Sequence, residues 1–344
     1  MLAGAQPSPL LSPAVFLLAG TPLTLEAADP LLVEAVASVL GAAALSRAPG
    51  PGLRAAVEGP GLDGCGRILL AADDGRSLAD ADADLRLGLD SPGFPFEERP
   101  PEAPGALTLA FRGAADAVLT CRGGEVHFRA VAGWRRAVAF LLLHRLVGLR
   151  ADALFFHAAS VGVAGRGALL VGPKGAGKST LALGLAARGH DFLGDETACY
   201  LPAAGTIIPL RRPVGIKPGP RARAIDEALA RARLQADADG IVRMDVEALL
   251  EPEARLAAPR ALPLRAVLFL EGFGPAPRVT AAAAERDAVA RLQPFSSSLT
   301  AAPQAQRVFE MARLLGAARV FRVTHGDPDG TTDAVAEALG AAWD

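Results

Sequence analysis

The stretch ALLVGPKGAGKSTLALGLAARGHDFLGDET occupies residues 168–197. It begins with an apolar run typical of a buried strand, continues through a glycine-rich loop, and then carries good helix formers that end at Gly189. An acidic pair, Asp195 and Glu196, follows a short second apolar run. The stretch therefore predicts a strand, a loop and a helix, and then a second strand that delivers two carboxylates.

The glycine-rich loop carries a phosphate-binding pattern, because residues 172–179, GPKGAGKS, match G-x-x-x-x-G-K-[ST] at each fixed position. Glycines let the backbone turn tightly and direct its N–H groups at phosphate oxygens, and the following helix adds the positive end of its dipole. The pattern predicts a P-loop; the alternative is a glycine turn with an incidental lysine. The predicted nucleotide-binding residues are Gly172, Pro173, Lys174, Gly175, Ala176, Gly177, Lys178, Ser179 and Thr180.

The pattern also predicts the cofactors, ATP and Mg²⁺, and leaves open the choice between ATP and GTP. Lys178 is expected to reach the β- and γ-phosphates, and the Ser179 hydroxyl is expected to bind Mg²⁺. Lysine is rare in this chain and occurs only at 174, 178 and 217. A compact ammonium fits a crowded phosphate cradle and a planar guanidinium does not. The same reasoning makes Lys217 a candidate substrate-binding residue, and an ordinary exposed lysine is the alternative.

The acidic pair follows Ser179 by 16 and 17 residues. A helix of about ten residues spans roughly 15 Å, so the chain can return as a neighbouring strand and bring Asp195 and Glu196 near the metal ion. Mg²⁺ needs a carboxylate and a nucleophile needs a base, and adjacent acids can divide these tasks. We therefore predict Ser179 and Asp195 as metal ligands, with a solvated acidic turn as the alternative.

His157 lies in the apolar run LFFHAASVGV ahead of the loop. A histidine in an apolar strand is more often a buried core residue than a functional one. The same interpretation applies to His127, His144 and His325, while His190 belongs to a helix end. Taken alone, His157 therefore predicts no chemistry.

Together, His157 and GALLVGPKGAGKSTLALGLAARGHDFLGDE resemble the catalytic domain of bacterial HPr kinase/phosphorylase and its related kinases. The resemblance is specific over about residues 155–197 and weaker over 207–219. Residues 260–344 fit only in their order of strands and helices. Residues 1–150 do not match the N-terminal domain of the classical family.

The resemblance implies roles for further residues. Lys178 and Ser179 would bind triphosphate and Mg²⁺, and His157 would assist at the phosphates. The family's proton-transferring acid falls at Glu196, which replaces an aspartate, so Asp195 and Glu196 can have exchanged roles. A metal-binding glutamate of the classical family falls at Leu210, whereas Arg212 matches the family's arginine. These departures favour the related kinases, some of which look associated with peptide modification.

Length and composition set the broad class. The chain has 51% apolar and 21% charged residues and a formal net charge of −2, so it lacks the basic field that would attract nucleic acid or an anionic membrane. Three widely spaced cysteines argue against disulfide or metal-thiolate frameworks. The prolines near the N-terminus and the polar residues in the longest apolar run argue against a signal peptide or a membrane span. We expect a cytoplasmic protein.

The pattern along the chain predicts two domains, 1–150 and 151–344. The expected fold class is α/β, a P-loop nucleotide-binding sheet with flanking helices, plus an N-terminal α+β domain for acceptor recognition or assembly. Helices are predicted at 29–45, 134–149, 178–188, 303–316 and 332–342, and strands at 106–131, 154–163, 167–172, 191–201, 265–272 and 318–325. Residues 85–105, 209–223 and 251–265 are predicted as loops.

The function predicted is that of an ATP-dependent kinase acting on a serine hydroxyl of a small protein or peptide. The predicted catalytic residues are Glu196, Asp195, His157, Lys178 and Arg212, with Arg212 and Lys217 as substrate contacts. The alternatives are a P-loop ATPase and a nucleotide-sensing protein without a phosphoryl acceptor. The acceptor and the formation of a homo-oligomer are left open.

Overall fold

The fold is mixed α/β with several sheets. The chain divides into two compact units, Met1–Arg150 and Ala151–Asp344. Within the described part of the chain, none of the helices combines the length and apolar character that crossing a bilayer requires. The computed structural model describes residues 13–41, 51–60, 64–75, 78, 85, 95–150, 152–232, 240–244, 246, 260–282, 287–296 and 303–343.

The first unit is built on an eight-stranded sheet. Its elements are β1 (Ala14–Leu18), β2 (Thr21–Ala27), α1 (Pro30–Leu40), β3 (Leu53–Glu58), β4 (Cys65–Ala72), β5 (Phe96–Arg99), β6 (Leu107–Phe111), β7 (Ala114–Arg122), β8 (Glu125–Arg129) and α2 (Trp134–Gly148). The strand order is β1-β2-β3-β4-β8-β7-β6-β5. Only β2 and β3 pair in parallel among the described strands of this sheet, and α1 lies between them in the chain. Helices α1 and α2 pack against each other.

Two predictions in this unit need correction. Helix α1 begins as predicted, with Asp29 capping the N–H of Leu31, but it ends at Leu40 before Gly41, and residues 42–45 lie outside the described residues. Residues 86–94 of the predicted loop 85–105 also lie outside them. Within it, Phe96–Arg99 forms strand β5, because it pairs with β6 and buries Phe96 fully. The many proline and glycine residues around this short strand favour a loop, so the sequence pattern did not indicate it.

The second unit holds the loop and the acidic pair. Its elements are β9 (Leu154–Phe156), β10 (Ala159–Val163), β11 (Arg166–Val171), α3 (Lys178–Ala187), β12 (Asp191–Gly194), β13 (Ala198–Leu201), β14 (Thr206–Ile208), β15 (Val214–Ile216), α4 (Arg223–Ala232), β16 (Val242–Met244), β17 (Leu262–Phe273), β18 (Arg278–Ala282), α5 (Ala288–Leu292), a 3₁₀ turn (Gln293–Phe295), α6 (Gln304–Ala317), β19 (Arg319–His325) and α7 (Pro328–Ala341).

A nine-stranded sheet organises this unit. Its path runs β12-β10-β11-β17-β14-β13-β9, and β19 pairs with both β17 and β18. Strands β11, β17 and β19 are mutually parallel, so their carboxyl ends lie at one edge. Helices α3 and α7 share a core with Leu170 on one face. Helix α6 shares a core with Leu169 on the other face, because neighbouring strand residues point to opposite sides.

Five predictions in the second unit also need correction. Each of the runs 154–163 and 191–201 is two strands, interrupted at His157–Ala158 and at Asp195–Thr197. The predicted loop 209–223 contains β15, and 251–265 includes the start of β17, with 251–259 outside the described residues. The last helix begins earlier than predicted, because Asp327 caps it at the N–H of Gly330.

Candidate functional site

The glycine-rich loop connects the carboxyl end of β11 to α3. Gly175 and Gly177 adopt φ angles of 87° and 86°, in the left-handed region where a side chain is strained. A Cβ on Gly177 would lie 2.9 Å from Cε1 of His325, so the neighbouring strand also requires glycine there. Gly177 is the N-cap residue of α3, and the first N–H groups of the helix therefore face the loop.

Lys178 begins helix α3 and is 7% exposed. Its Nζ donates hydrogen bonds to the carbonyl oxygens of Gly172 at 2.7 Å and Pro173 at 3.1 Å. Burial lowers the pKa of Lys178, while the charges of Asp195 and Glu196 act in the opposite direction. The ammonium group therefore lies along the loop, within the field of the acidic pair.

The two strand interruptions bring His157 and the acidic pair together. Strand β9, before the first interruption, pairs with β13, after the second, with Phe156 opposite Ala198. Strand β10, after the first interruption, pairs with β12, before the second, with Ser160 opposite Gly194. The chain therefore crosses from one half of the sheet to the other at His157–Ala158 and again at Asp195–Thr197. The two crossings lie next to each other. In the gap, the imidazole of His157 hydrogen-bonds to the backbone of Glu196.

Asp195 is buried beside the first turn of α3 and is 5% exposed. Its carboxylate lies beside the Ser179 hydroxyl and the Glu196 backbone, both of which act to lower its pKa, and no residue in the described ranges bonds to its Oδ1. Burial, followed by the charge of Glu196, raises the pKa of Asp195 to about 6. A carboxylate oxygen that is buried without a partner beside a serine hydroxyl fits a divalent cation.

The protein supplies few of the ligands that such a cation would need. Among the described residues, no group of three or more His, Cys, Asp or Glu side chains is placed to hold a metal ion. Mg²⁺ commonly takes one or two protein ligands and completes its shell with water and substrate phosphates. Ser179 and Asp195 therefore match a magnesium ion delivered with a triphosphate.

Glu196 is exposed and lies in a strained turn. Its φ angle is 60°, and the N–H of Thr197 donates to the carbonyl oxygen of Asp195 at 2.7 Å across it. A three-residue turn of this kind is rare outside glycine, and such strain concentrates at functional sites. The turn directs the two acids differently, with Asp195 inward and Glu196 toward solvent.

His157 is half-buried in the interruption between β9 and β10. Its backbone N–H donates to the carbonyl oxygen of Phe295 at 2.7 Å. Burial, followed by the charge of Lys178, lowers the pKa of His157, and Glu196 acts in the opposite direction. The imidazole is therefore mainly neutral at pH 7, and its one N–H is the donor in the hydrogen bond to the Glu196 backbone.

Segment 208–217 brings two cations to the same place. Nη1 of the half-buried Arg212 donates to the Thr197 hydroxyl at 3.3 Å. Burial lowers the pKa of Arg212, and the charges of Glu196 and Asp195 oppose that effect. The exposed Lys217 is close enough for its charge to lower the pKa of both His157 and Lys178.

The remaining predicted residues complete the loop and its surroundings. Pro173 and Lys174 are exposed at the loop, and Thr180 is half-buried on the first turn of α3. Leu210 is 2% exposed, and its N–H donates to the carbonyl oxygen of Leu193. It therefore packs as an apolar residue at the position where the classical family carries a metal ligand.

His325 is a residue of this site that the sequence interpretation missed. It ends β19, is 5% exposed and hydrogen-bonds to the backbone of Ala176 in the loop. Burial lowers its pKa. Its place at the carboxyl end of a predicted parallel strand was the available signal, because ligands bind outside that edge of α/β sheets.

No family model and no curated protein matches this sequence. Among solved structures, the chain is similar to the Hpr(Ser) kinase/phosphatase from Coxiella burnetii, with 13% identity. The match covers 55% of this chain and 99% of that chain, at a TM-score of 0.25. A likeness of this size is too weak to support a conclusion about the fold or the activity of this chain.

Proposed function

We propose that the protein is an ATP-dependent kinase that transfers the γ-phosphate to a serine hydroxyl of a small protein or peptide. The observation that carries the proposal is the buried carboxylate of Asp195, which lies beside Ser179 at the start of the helix that follows the glycine-rich loop. This pairing puts a cation ligand, a helix N-terminus and the Lys178 ammonium group at one edge of the sheet. The negative charge of a triphosphate suits the helix N-terminus and Lys178, and the positive charge of its magnesium ion suits Asp195.

The loop would bind the phosphates through its backbone N–H groups and through Lys178. Ser179 and Asp195 would hold Mg²⁺, which neutralises charge on the β- and γ-phosphate oxygens. Of the two acids, Asp195 suits this task because it is buried beside Ser179, whereas Glu196 is exposed and can reach an incoming acceptor.

In the transfer step, the acceptor serine oxygen forms a bond to the γ-phosphorus. The bond between that phosphorus and the β–γ bridging oxygen breaks, and ADP leaves. Glu196 takes the proton of the serine hydroxyl as the base. His157 donates its N–H to the backbone of Glu196, so its other ring nitrogen can donate a hydrogen bond to a phosphate oxygen once it has taken up a proton.

The cations of segment 208–217 would serve the acceptor side of the reaction. Arg212 would counter the charge of the transferring phosphoryl group from its position beside Thr197. Lys217 is exposed and would contact the acceptor. The net charge of −2 favours a protein or peptide partner over nucleic acid or a membrane surface.

The test is transfer of label from γ-labelled ATP, with Mg²⁺, to small proteins encoded beside this one. We expect phosphoserine on an acceptor with the wild-type protein and none with Lys178→Arg, because guanidinium does not fit the space beside the loop carbonyls. Lys174→Arg is the matched control and should retain transfer, because position 174 would bind phosphate through its backbone N–H and its side chain is exposed.

Two outcomes would contradict the proposal. Hydrolysis of ATP without transfer to any acceptor, lost in Glu196→Gln, would identify an ATPase. Tight nucleotide binding with neither hydrolysis nor transfer would identify a nucleotide sensor.

A further inference from the structure

Phe273 is a large, exposed apolar residue at the edge of the nine-stranded sheet where the glycine-rich loop lies. It ends β17 and is 70% exposed. Its ring lies against that of His325, with centroids 5.2 Å apart and planes tilted by 32°. The buried imidazole therefore contacts the exposed phenyl ring, most of which remains open to solvent.

A bulge determines the direction in which Phe273 points. Leu270 pairs with Val323 and Phe273 pairs with His325, so three steps of β17 match two steps of β19. Gly272, inside the bulge, has a φ of 123°, which disfavours other residues. The extra residue places Phe273 on the same face as Leu270, which shares a core with α3. Bulges often redirect side chains next to active sites.

The two rings are continuous with the glycine-rich loop. His325 hydrogen-bonds to the backbone of Ala176. A Cβ on Gly177 would lie 2.9 Å from the Cε1 of its ring. The loop at the end of β11 therefore contacts the imidazole at the end of β19, and the imidazole contacts the phenyl ring at the end of β17, the strand between them.

The acidic pair lies on the other side of the loop strand. Strand β12, which ends at Gly194 just before Asp195, is separated from β11 by β10, whereas β17 is the neighbour of β11 on the opposite side. A nucleoside triphosphate has chemically different ends. If its terminal phosphate faces Asp195 and Glu196, its base extends in the opposite direction, toward β17 and β19.

We propose that Phe273, supported by His325, is the stacking surface for the nucleobase of the bound triphosphate. The proposal rests on the proposed function, because it requires a nucleotide on the loop. A phenyl ring stacks on any base and offers no hydrogen bond that distinguishes adenine from guanine. The surface would therefore add affinity for ATP and GTP alike.

The test compares dissociation constants for ATP, GTP and inorganic tripolyphosphate, each with Mg²⁺, by titration calorimetry. We expect Phe273→Ala to weaken binding of ATP and GTP about tenfold, which corresponds to the stacking of one base. Tripolyphosphate has no base, so its affinity should not change. Phe273→Trp keeps a stacking ring and should retain nucleotide affinity.

Phe309→Ala is the matched control, because Phe309 is 61% exposed on α6, which packs on the opposite face of the sheet. It should leave the affinities for all three ligands unchanged. Unchanged ATP affinity in Phe273→Ala would overturn the stacking surface and leave the proposed function standing. An equal loss for tripolyphosphate would also overturn it, since Phe273 would then act on the loop. A wild-type protein that binds none of the three ligands would overturn both proposals.

Discussion

At the residue scale, the buried carboxyl group of Asp195 links the site to protein stability. Its pKa is raised from 3.8 to about 6, with burial as the main cause. The folded protein therefore holds this proton more tightly than the unfolded chain does. The resulting stabilisation is fully present below pH 3.8, declines as the pH rises and is lost above pH 6. A shift of this size corresponds to roughly 3 kcal/mol.

We predict that Asp195→Asn removes this dependence. Without divalent cations or nucleotide, the free energy of unfolding of the wild-type protein should fall relative to that of the variant between about pH 4 and pH 7. The expected relative loss is roughly 3 kcal/mol, because only the wild-type protein must ionise a buried carboxyl group. Denaturant titrations at each pH measure both curves. If the free energies of unfolding of the two proteins change with pH in parallel, the carboxyl group of Asp195 is hydrated in the folded protein.

Some of the site residues were predictable from sequence and others were not. The loop motif specifies Lys178 and Ser179 by spacing alone. The acidic pair, Asp195 and Glu196, follows a helix short enough to let the chain return both residues to the loop. His325 lies far along the chain from the loop, and only the parallel pairing of β17 with β19 brings it there. Its place at the end of a predicted strand made this histidine look like an ordinary core residue.

At the element scale, α3 and α7 approach each other closely at Gly184. A Cβ there would lie 2.5 Å from Oγ1 of Thr332 in α7. That hydroxyl is fixed, because it donates to the carbonyl oxygen of Pro328 at 2.7 Å. Since α3 carries the loop at its start, this contact also positions the candidate site.

We predict that Gly184→Ala destabilises the protein by about 1–3 kcal/mol, because the added methyl group must displace α7. Gly316→Ala in α6 is the control, since a Cβ there meets no atom within 4 Å. It should stabilise the protein by up to about 1 kcal/mol through helix propensity. Thermal and denaturant unfolding measure both changes. An increase in stability in Gly184→Ala would show that the helices can separate without cost.

Most elements followed from hydrophobic periodicity, but their interruptions did not. The runs 154–163 and 191–201 are each apolar enough to be one strand. They are divided because β9 and β13 pair in one half of the sheet while β10 and β12 pair in the other. Periodicity reports which face of a strand is buried and carries no information about its partners. The residues in those gaps, His157 and the acidic pair, were therefore assigned to strand or strand end.

At the scale of the whole molecule, the second unit carries its own apolar interior. The two core clusters on the faces of the nine-stranded sheet consist only of residues after Ala151. A segment that buries its own core in this way can fold alone. The residues proposed to bind nucleotide also belong to this unit.

We predict that residues 151–344, expressed alone, unfold cooperatively and bind ATP with the affinity of the full chain. They should not phosphorylate the acceptor, because we expect residues 1–150 to recognise it. Calorimetry and label transfer measure the two properties, and the same segment with Lys178→Arg is the binding control. Full transfer by the segment would assign acceptor recognition to the second unit. Loss of ATP binding would show that the first unit is needed at the loop.

At position 196, stability and catalysis favour different residues. Glycine at this position would relieve about 1 kcal/mol of left-handed backbone cost, and asparagine would relieve part of it. Either residue would also discard the exposed carboxylate. A mutant library screened only for survival after heating should therefore accumulate Gly or Asn at position 196 and yield robust, inactive variants. Mutagenesis that aims to stabilise the protein should therefore keep glutamate at position 196.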